Sequence, residues 1–340
     1  MIAAVLPIHY PRELLRAFGI LPMEVWGPPN VDSSFGTAHV QAYVCSIVRN
    51  GLSFLHSDTA KIADLILVPH SCDSLQGLGS LLLDFVQPEQ PVFPLYLPRQ
   101  TNSAGVRFLA NEFCSLYQQL EQATGRSPND DQLMECIQRE ERADAALRDM
   151  HTNRRKIDLS DYEFYRLIRT REYLPAEDFL ELVEQVQERA SGDQNESIGI
   201  LISGIVPEPM DTLQAINDFS GIVVGDDLAC TGRRVYPPGD NQNPFLRMAE
   251  RLLGGPPDWA LGSSINSRMD YLLETIERTG AQGVIFYGVK FCEPELFDLP
   301  LLRERLDREG IPSIAMEVDV SDPLSTEALM QLEVFFEMFA

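Results

Sequence analysis

GVIFYGVKFCEPELFDLP, residues 283–300, opens with the apolar residues Val284, Ile285, Phe286 and Tyr287. The run is too short for a helix of ordinary length and rich in β-branched and aromatic side chains, so it reads as a buried strand. Gly288 ends it, Cys292 falls on the loop beyond, and Pro294 stands where a helix would begin, because proline is tolerated in a first helical turn. A cysteine just past the carboxyl end of a buried strand occupies the place where open α/β sheets bind ligands. Cys45 and Cys72 have comparable settings.

Working outward, the same alternation recurs. Toward the C-terminus, strands are expected at 198–202, 221–224 and 313–318, with helices at 210–219, 243–253, 264–279, 296–309 and 324–339. In the N-terminal third, strands are expected at 2–6, 23–26, 63–68 and 91–97. A short helix opens at Pro11, and 39–51 is helical in spacing, with Val40, Tyr43, Val44, Ile47 and Val48 on one face. Strand–helix alternation predicts βαβ units and mostly parallel sheets. Residues 104–191 differ, with helical periodicity and hardly any strand signal. Ser160 and Glu163 there form a capping box, and a helix is expected over 176–190. The expected architecture is α/β: two doubly wound, flavodoxin- or Rossmann-like domains (1–103 and 193–340), with a helical segment (104–192) between them and a polar linker at 192–197. The two sheet domains are candidates for distant copies of one plan.

Composition narrows the function. The chain has 340 residues, 44% hydrophobic and 23% charged, as in soluble globular proteins. No apolar run reaches the roughly eighteen residues of a membrane span. The N-terminus lacks a signal-like leader, so a cytoplasmic location is expected. A formal charge of −24 argues against nucleic-acid binding, which needs clustered Lys and Arg. No phosphate-binding loop, GxGxxG after a strand or Ser-His-Asp order stands out. GLGSLLLDF (77–85) lacks the phosphate-loop lysine, so the chain is not expected to hydrolyse ATP.

The six cysteines form no CxxC pair, and a disulfide framework is not expected in an intracellular chain of this size. Each is a small core residue, a reactive thiol or a metal ligand. Cys72 repeats the arrangement of Cys292: strand, short loop, cysteine, helix. Thiolates near helix N-termini have lowered pKa values, which suits metal ligation. Cys45 falls inside the helix expected at 39–51. Soft thiolates favour iron–sulfur clusters, zinc or copper. Three cysteines without a fourth would leave one cluster iron open to substrate, unlike the four-ligand pattern of electron carriers. Cys114 and Cys136 read as structural.

The segments PIHYPRELLRAFGILPMEVWGP (7–28), HVQAYVCSIVRNGL (39–52), LVPHSCDSLQGL (67–78), GIVVGDDLACTGRR (221–234) and GVIFYGVKFCEPELFDLPLLRERLDREGIPSIAMEVD (283–319) closely resemble the 2-hydroxyacyl-CoA dehydratase / benzoyl-CoA reductase family. The resemblance runs over nearly the whole chain and is weakest in the helical middle. It implies a 4Fe-4S cluster held by Cys45, Cys72 and Cys292 between the two sheet domains. It implies a heterodimer with a related second subunit, and a separate ATP-dependent iron–sulfur activator that donates one low-potential electron. The substrate would be an acyl-CoA or aryl-CoA thioester, dehydrated through a ketyl radical or reduced in its ring. The chain is compact for the family, so an electron-relaying, noncatalytic partner subunit is the alternative.

By the same analogy, His9 and Glu24 line the substrate pocket and act as acid or base near the thioester carbonyl. The bland alternatives are a loop histidine and a strand carboxylate. His70 is a candidate hydrogen-bond donor to a cluster sulfur, and Arg49 and Lys290 are candidate contacts to an anionic ligand. Cys230 is a candidate supporting residue. Asp226 and Asp227 either face the pocket, cap the next helix or bind Arg233 or Arg234.

Overall fold

A computed structural model describes residues 1–187 and 196–339 of the chain. The first part runs β1 (Ile2–Val5), α1 (Arg12–Ala17), β2 (Leu21–Glu24), α2 (Ser34–His39), α3 (Ser46–His56), β3 (Leu65–Pro69), α4 (Asp73–Leu81) and β4 (Val92–Leu95). Four helices follow: α5 (Ser103–Thr124), α6 (Asp130–Thr152), α7 (Asp161–Ile168) and α8 (Ala176–Gln187). The last part runs β5 (Ile198–Gly204), α9 (Asp211–Asp218), β6 (Gly221–Leu228), α10 (Pro244–Leu253), α11 (Ile265–Thr279), β7 (Gly283–Val289), α12 (Glu293–Glu309), β8 (Ser313–Val318) and α13 (Thr326–Glu337). The end of the helix expected at 176–190, and all but the last two residues of the linker at 192–197, lie outside the described residues.

Both sheets are four-stranded and wholly parallel, ordered β2-β1-β3-β4 and β6-β5-β7-β8. The two orders are the same plan used twice, as the sequence suggested. In each sheet the chain winds out to one side and then crosses to the other. The crossing lies between β1 and β3 in one sheet and between β5 and β7 in the other. Crevices at such crossings, beyond the carboxyl ends of the strands, are where doubly wound sheets take ligands.

Parallel strands covered on both faces read as unbroken apolar runs, and that is why 284–287 carries no polar alternation. Successive side chains still point to opposite faces. Ile285 and Tyr287 pack with Ile200 and Ile202 on one face. Val284 and Phe286 pack with Leu201 and with Leu272 of α11 and Leu302 of α12 on the other. In the first sheet, Ala4, Leu6, Ile66 and Val68 join the same large core as Ile200 and Ile285. Its opposite face, Ala3, Val5, Leu65 and Leu67, is covered by Leu109 and Phe113 of α5 together with Met248 and Leu252 of α10. Thus α10, which follows β6 in the chain, packs beneath the first sheet. The capping box of Ser160 and Glu163 is present at the start of α7.

The helix expected over 39–51 forms only in its second half: α2 ends at His39, residues 40–45 are not helical, and α3 begins at Ser46. The chain breaks between α2 and α3, and Cys45 is not in a helix interior but at the residue before α3, with extended backbone (φ −59°, ψ 152°). The break lets α2 lie against α3: the Gly36 amide donates to Ser53 Oγ at 2.8 Å. No helix among the described residues is long and apolar enough to cross a membrane.

Candidate functional site

Three helices each begin at a cysteine. Cys45 precedes α3, Cys72 precedes α4 and Cys292 precedes α12. Cys72 lies three residues beyond β3 and Cys292 three beyond β7, so both sit at a crossing point of their sheet. Cys45 arrives from the connection between α2 and α3. All three line one cavity of about 90 Å³. The same walls carry Pro7 and Ile8, just past β1, and Ile205, just past β5. The two crossing points therefore face each other across the cavity.

Several contacts fix this convergence. Gly27, with φ +71°, lies so close to the start of α3 that a Cβ there would stand 2.6 Å from the Ile47 Cα. The Arg49 guanidinium meets Asp319 at 2.8 Å, and Asn50 donates to Ser321 Oγ at 2.7 Å. Both tie α3 to the segment after β8. Ser71 Oγ donates to the Ile8 carbonyl at 2.9 Å, joining the β1 and β3 exits. Phe291, beside Cys292, holds φ 62°, and His9 holds φ 65°. Bulky side chains in the left-handed region are strained, and such strain gathers at functional sites.

Burial pushes the Cys45 thiol up, pushes Cys72 up to about 12 and carries Cys292 well above the ordinary range. The thiolates also raise one another: Cys45 acts on Cys72, and both act on Cys292. The backbone N–H groups at the helix starts oppose this, those of Ile47 and Val48 for Cys45 and those of Ser74 and Leu75 for Cys72. The lowered pKa expected for thiols at helix N-termini is thus not found: desolvation in a dry cavity outweighs the helix amides.

The other wall groups are already engaged. Arg233 donates to Asp227 Oδ1 at 2.9 Å and to Glu295 Oε1 at 2.8 Å, and lies 3.4 Å from Asp258 Oδ2. With Asp258 and Glu295 held by that guanidinium, the thiols are the cavity's available soft donors. Among the described residues, no three His, Cys, Asp or Glu side chains come close enough to grip a single metal ion. The three thiols that share this cavity wall are soft donors of the kind that iron–sulfur groups take.

His9 stands behind this wall, 1% exposed. Its Nε2 lies 3.4 Å from Asp258 Oδ1 and its Nδ1 lies 3.0 Å from the Tyr236 hydroxyl. Burial disfavours the Asp258 carboxylate, yet His9 and Arg233 hold its pKa well below the usual carboxylate range. Glu24 is fully engaged and does not line the cavity: it accepts from Tyr10 Oη at 2.7 Å, Trp26 Nε1 at 2.9 Å and Arg234 Nη1 at 2.7 Å, with Arg12 at 3.3 Å. Trp26 itself is on the cavity wall. Cys230 lies instead on a neighbouring polar chamber of about 30 Å³. Asp227 binds Arg233, one of the pairings expected for it. Asp226 accepts from Tyr165 Oη, Thr231 Oγ1 and the Leu228 and Gly232 amides. His70 packs edge-on against Tyr96 and does not line the cavity. The wall residues Asp258, Glu295 and Trp259 escaped the sequence reading, although GGPPD (254–258) is a turn signal ending in a helix-capping aspartate.

A model of the family described as 2-hydroxyglutaryl-CoA dehydratase, D-component, matches residues 7–339. The chain is 24% identical over 340 residues to the (R)-phenyllactyl-CoA dehydratase beta subunit of Clostridium sporogenes, covering 98% of this chain and 90% of that one. It is 25% identical over 347 residues to the beta subunit of (R)-2-hydroxyglutaryl-CoA dehydratase of Acidaminococcus fermentans, with 98% and 90% covered. It is 24% identical over 330 residues to a benzoyl-CoA reductase subunit of Thauera aromatica, with 93% and 85% covered. The match runs from just past β1 to beyond α13, and the chain belongs to the 2-hydroxyglutaryl-CoA dehydratase D-component family.

Proposed function

We propose that this chain holds a 4Fe-4S cluster on Cys45, Cys72 and Cys292, as one subunit of a two-subunit enzyme acting on a 2-hydroxyacyl-CoA or aryl-CoA thioester. The observation that carries the proposal is the meeting of three helix-leading thiols, two from the first sheet and one from the second, on one cavity. When bound, the cluster would supply one-electron transfer at low potential, fed by an ATP-dependent iron–sulfur activator.

The chain's own residues have distinct work. The thiols anchor the cluster and give up their protons on loading. Ile47, Val48, Leu75 and Ile205 keep the cavity dry, which strengthens every electrostatic interaction inside it. Arg233 is a fixed positive charge on the wall. His9, held between Asp258 and Tyr236, holds or moves a proton at Nε2. Glu24, with its oxygens committed to four donors, positions Trp26 and the β1 exit.

The test is iron and sulfide content with electron paramagnetic resonance on anaerobically purified protein. About four irons and four sulfides per chain are expected, falling in Cys45→Ser, Cys72→Ser and Cys292→Ser but not in Cys114→Ser. Folded, iron-free protein under strict anaerobic handling would overturn the proposal. Turnover of candidate CoA thioesters with partner and activator then separates catalyst from relay.

A further inference from the structure

A cavity much larger than the thiol-lined one lies on the far side of the same segment. It is a cleft of about 570 Å³ between α6, α11, the middle of β6 and two proline-bearing loops, 235–238 and 254–257. Gly232 and Val235 face this cleft while Arg233 faces the thiols. A volume of this size suits an organic ligand, not a bare ion.

The cleft gathers cations. Arg148 of α6 donates through Nη2 to the Tyr236 carbonyl at 2.9 Å. Arg278, near the end of α11, makes one long hydrogen bond to Thr275 Oγ1 at 3.4 Å. Among the described residues neither guanidinium forms an ion pair, although the protein carries 51 acidic residues against 27 basic ones. Arg12, Arg233, Arg234, Arg251 and Arg268, by contrast, are all tied to buried carboxylates. Of the acidic groups here, Asp226 is saturated by four donors, and Glu274 stands exposed at the rim.

His151, three residues beyond Arg148, also lines the cleft. Its Nδ1 faces Asp226 Oδ2 at 3.4 Å, and its Nε2 is buried without a hydrogen-bond partner. A proton on Nδ1, toward the carboxylate, leaves Nε2 as an acceptor. Tyr271, Pro237 and Pro256 supply apolar walls.

We infer that the cleft binds a nucleoside phosphate. The phosphate lies against Arg148 and Arg278, and the base packs on the tyrosine–proline wall. A free nucleotide and the nucleotide end of coenzyme A share this chemistry. The inference does not rest on the thiol site.

Calorimetric titration of the full-length protein with ADP, coenzyme A, adenosine and inorganic phosphate tests it. ADP is expected to bind well above adenosine and phosphate, and Arg278→Ala, at an exposed helix end, to weaken binding by about ten- to a hundredfold. The variant should keep its thermal melting and iron content, which separates loss of the cleft from loss of the fold or of the thiol site. Coenzyme A binding no tighter than ADP assigns the cleft to a free nucleotide. Tighter binding, lost in the same variant, assigns it to the coenzyme. If neither binds, if phosphate alone binds as well, or if Arg278→Ala and Arg148→Ala both leave affinity unchanged, the inference is wrong.

Discussion

Arg233 Nη1 donates to Glu295 Oε1 at 2.8 Å, joining the loop after β6 to the first turn of the helix that Cys292 leads. Arg268 holds the other oxygen of the same carboxylate at 2.6 Å. One acidic side chain thus fixes the start of α12 against two buried cations.

Acid should loosen this joint. Burial alone would raise the Glu295 pKa, but Arg233 and Arg268 overcome it and hold the carboxyl at about 2. An unfolded glutamate titrates at about 4.3. The folded pKa is the lower one, so the contribution is complete above the unfolded value and is lost as pH falls through 2. Its size is of order 3 kcal/mol. Urea unfolding at pH 7, 5 and 3 should show stability dropping toward acid. Glu295→Gln should be less stable at pH 7 and show a shallower drop, and parallel curves for the two proteins would refute the assignment.

Gly27→Ala tests the seating of α3. The added Cβ would meet the Ile47 backbone in a left-handed conformation that alanine resists. A loss of about 1–3 kcal/mol is expected, together with weaker iron retention, because Cys45 would be displaced. Wild-type melting and iron content in the variant would count against the role given to Gly27.

Glu24 separates anchoring from proton transfer. Glu24→Ala leaves the Arg12 and Arg234 guanidinium groups without this carboxylate, a change expected to cost about 3–5 kcal/mol. Trp26 emission should shift as its indole N–H loses its acceptor. If stability and fluorescence hold while turnover vanishes, Glu24 is an acid–base group and not an anchor.

Asp226→Asn should release the loop after β6. The carboxylate accepts from Tyr165, Thr231, Leu228 and Gly232, and weakening a buried acceptor costs about 1–3 kcal/mol. Arg233 and Arg234 are 2% and 7% exposed, so trypsin should spare them in the wild type and cut there first in the variant. Equal digestion rates would show that the loop is held by other contacts.

Much of this is legible in the sequence alone. Buried parallel strands announce themselves as short apolar runs, which place β3, β5, β6 and β7, and with them Cys72 and Cys292. Cys45 is harder. Val40, Tyr43, Val44, Ile47 and Val48 share a helical spacing, yet Tyr43 is 61% exposed and the chain turns between α2 and α3. Periodicity does not record a break made by one helix packing on its neighbour. The pairing of arginines with carboxylates is out of reach for a similar reason. Glu24 reads as an ordinary strand-face residue until Arg234, 210 positions away, is folded over it. The thiol pKa values reverse expectation because burial is a property of the assembled halves, and no helix start announces how dry it will be.

The sharing of the cysteines, two on one sheet and one on the other, turns the cavity into a gauge of the spacing between the halves. Any hinge-like opening would carry Cys292 away from Cys45 and Cys72, whereas a bound inorganic core would stitch the halves together. The hold on such a core and the fixed spacing of the halves would then be one property, and a mutation that loosens either should be felt in both.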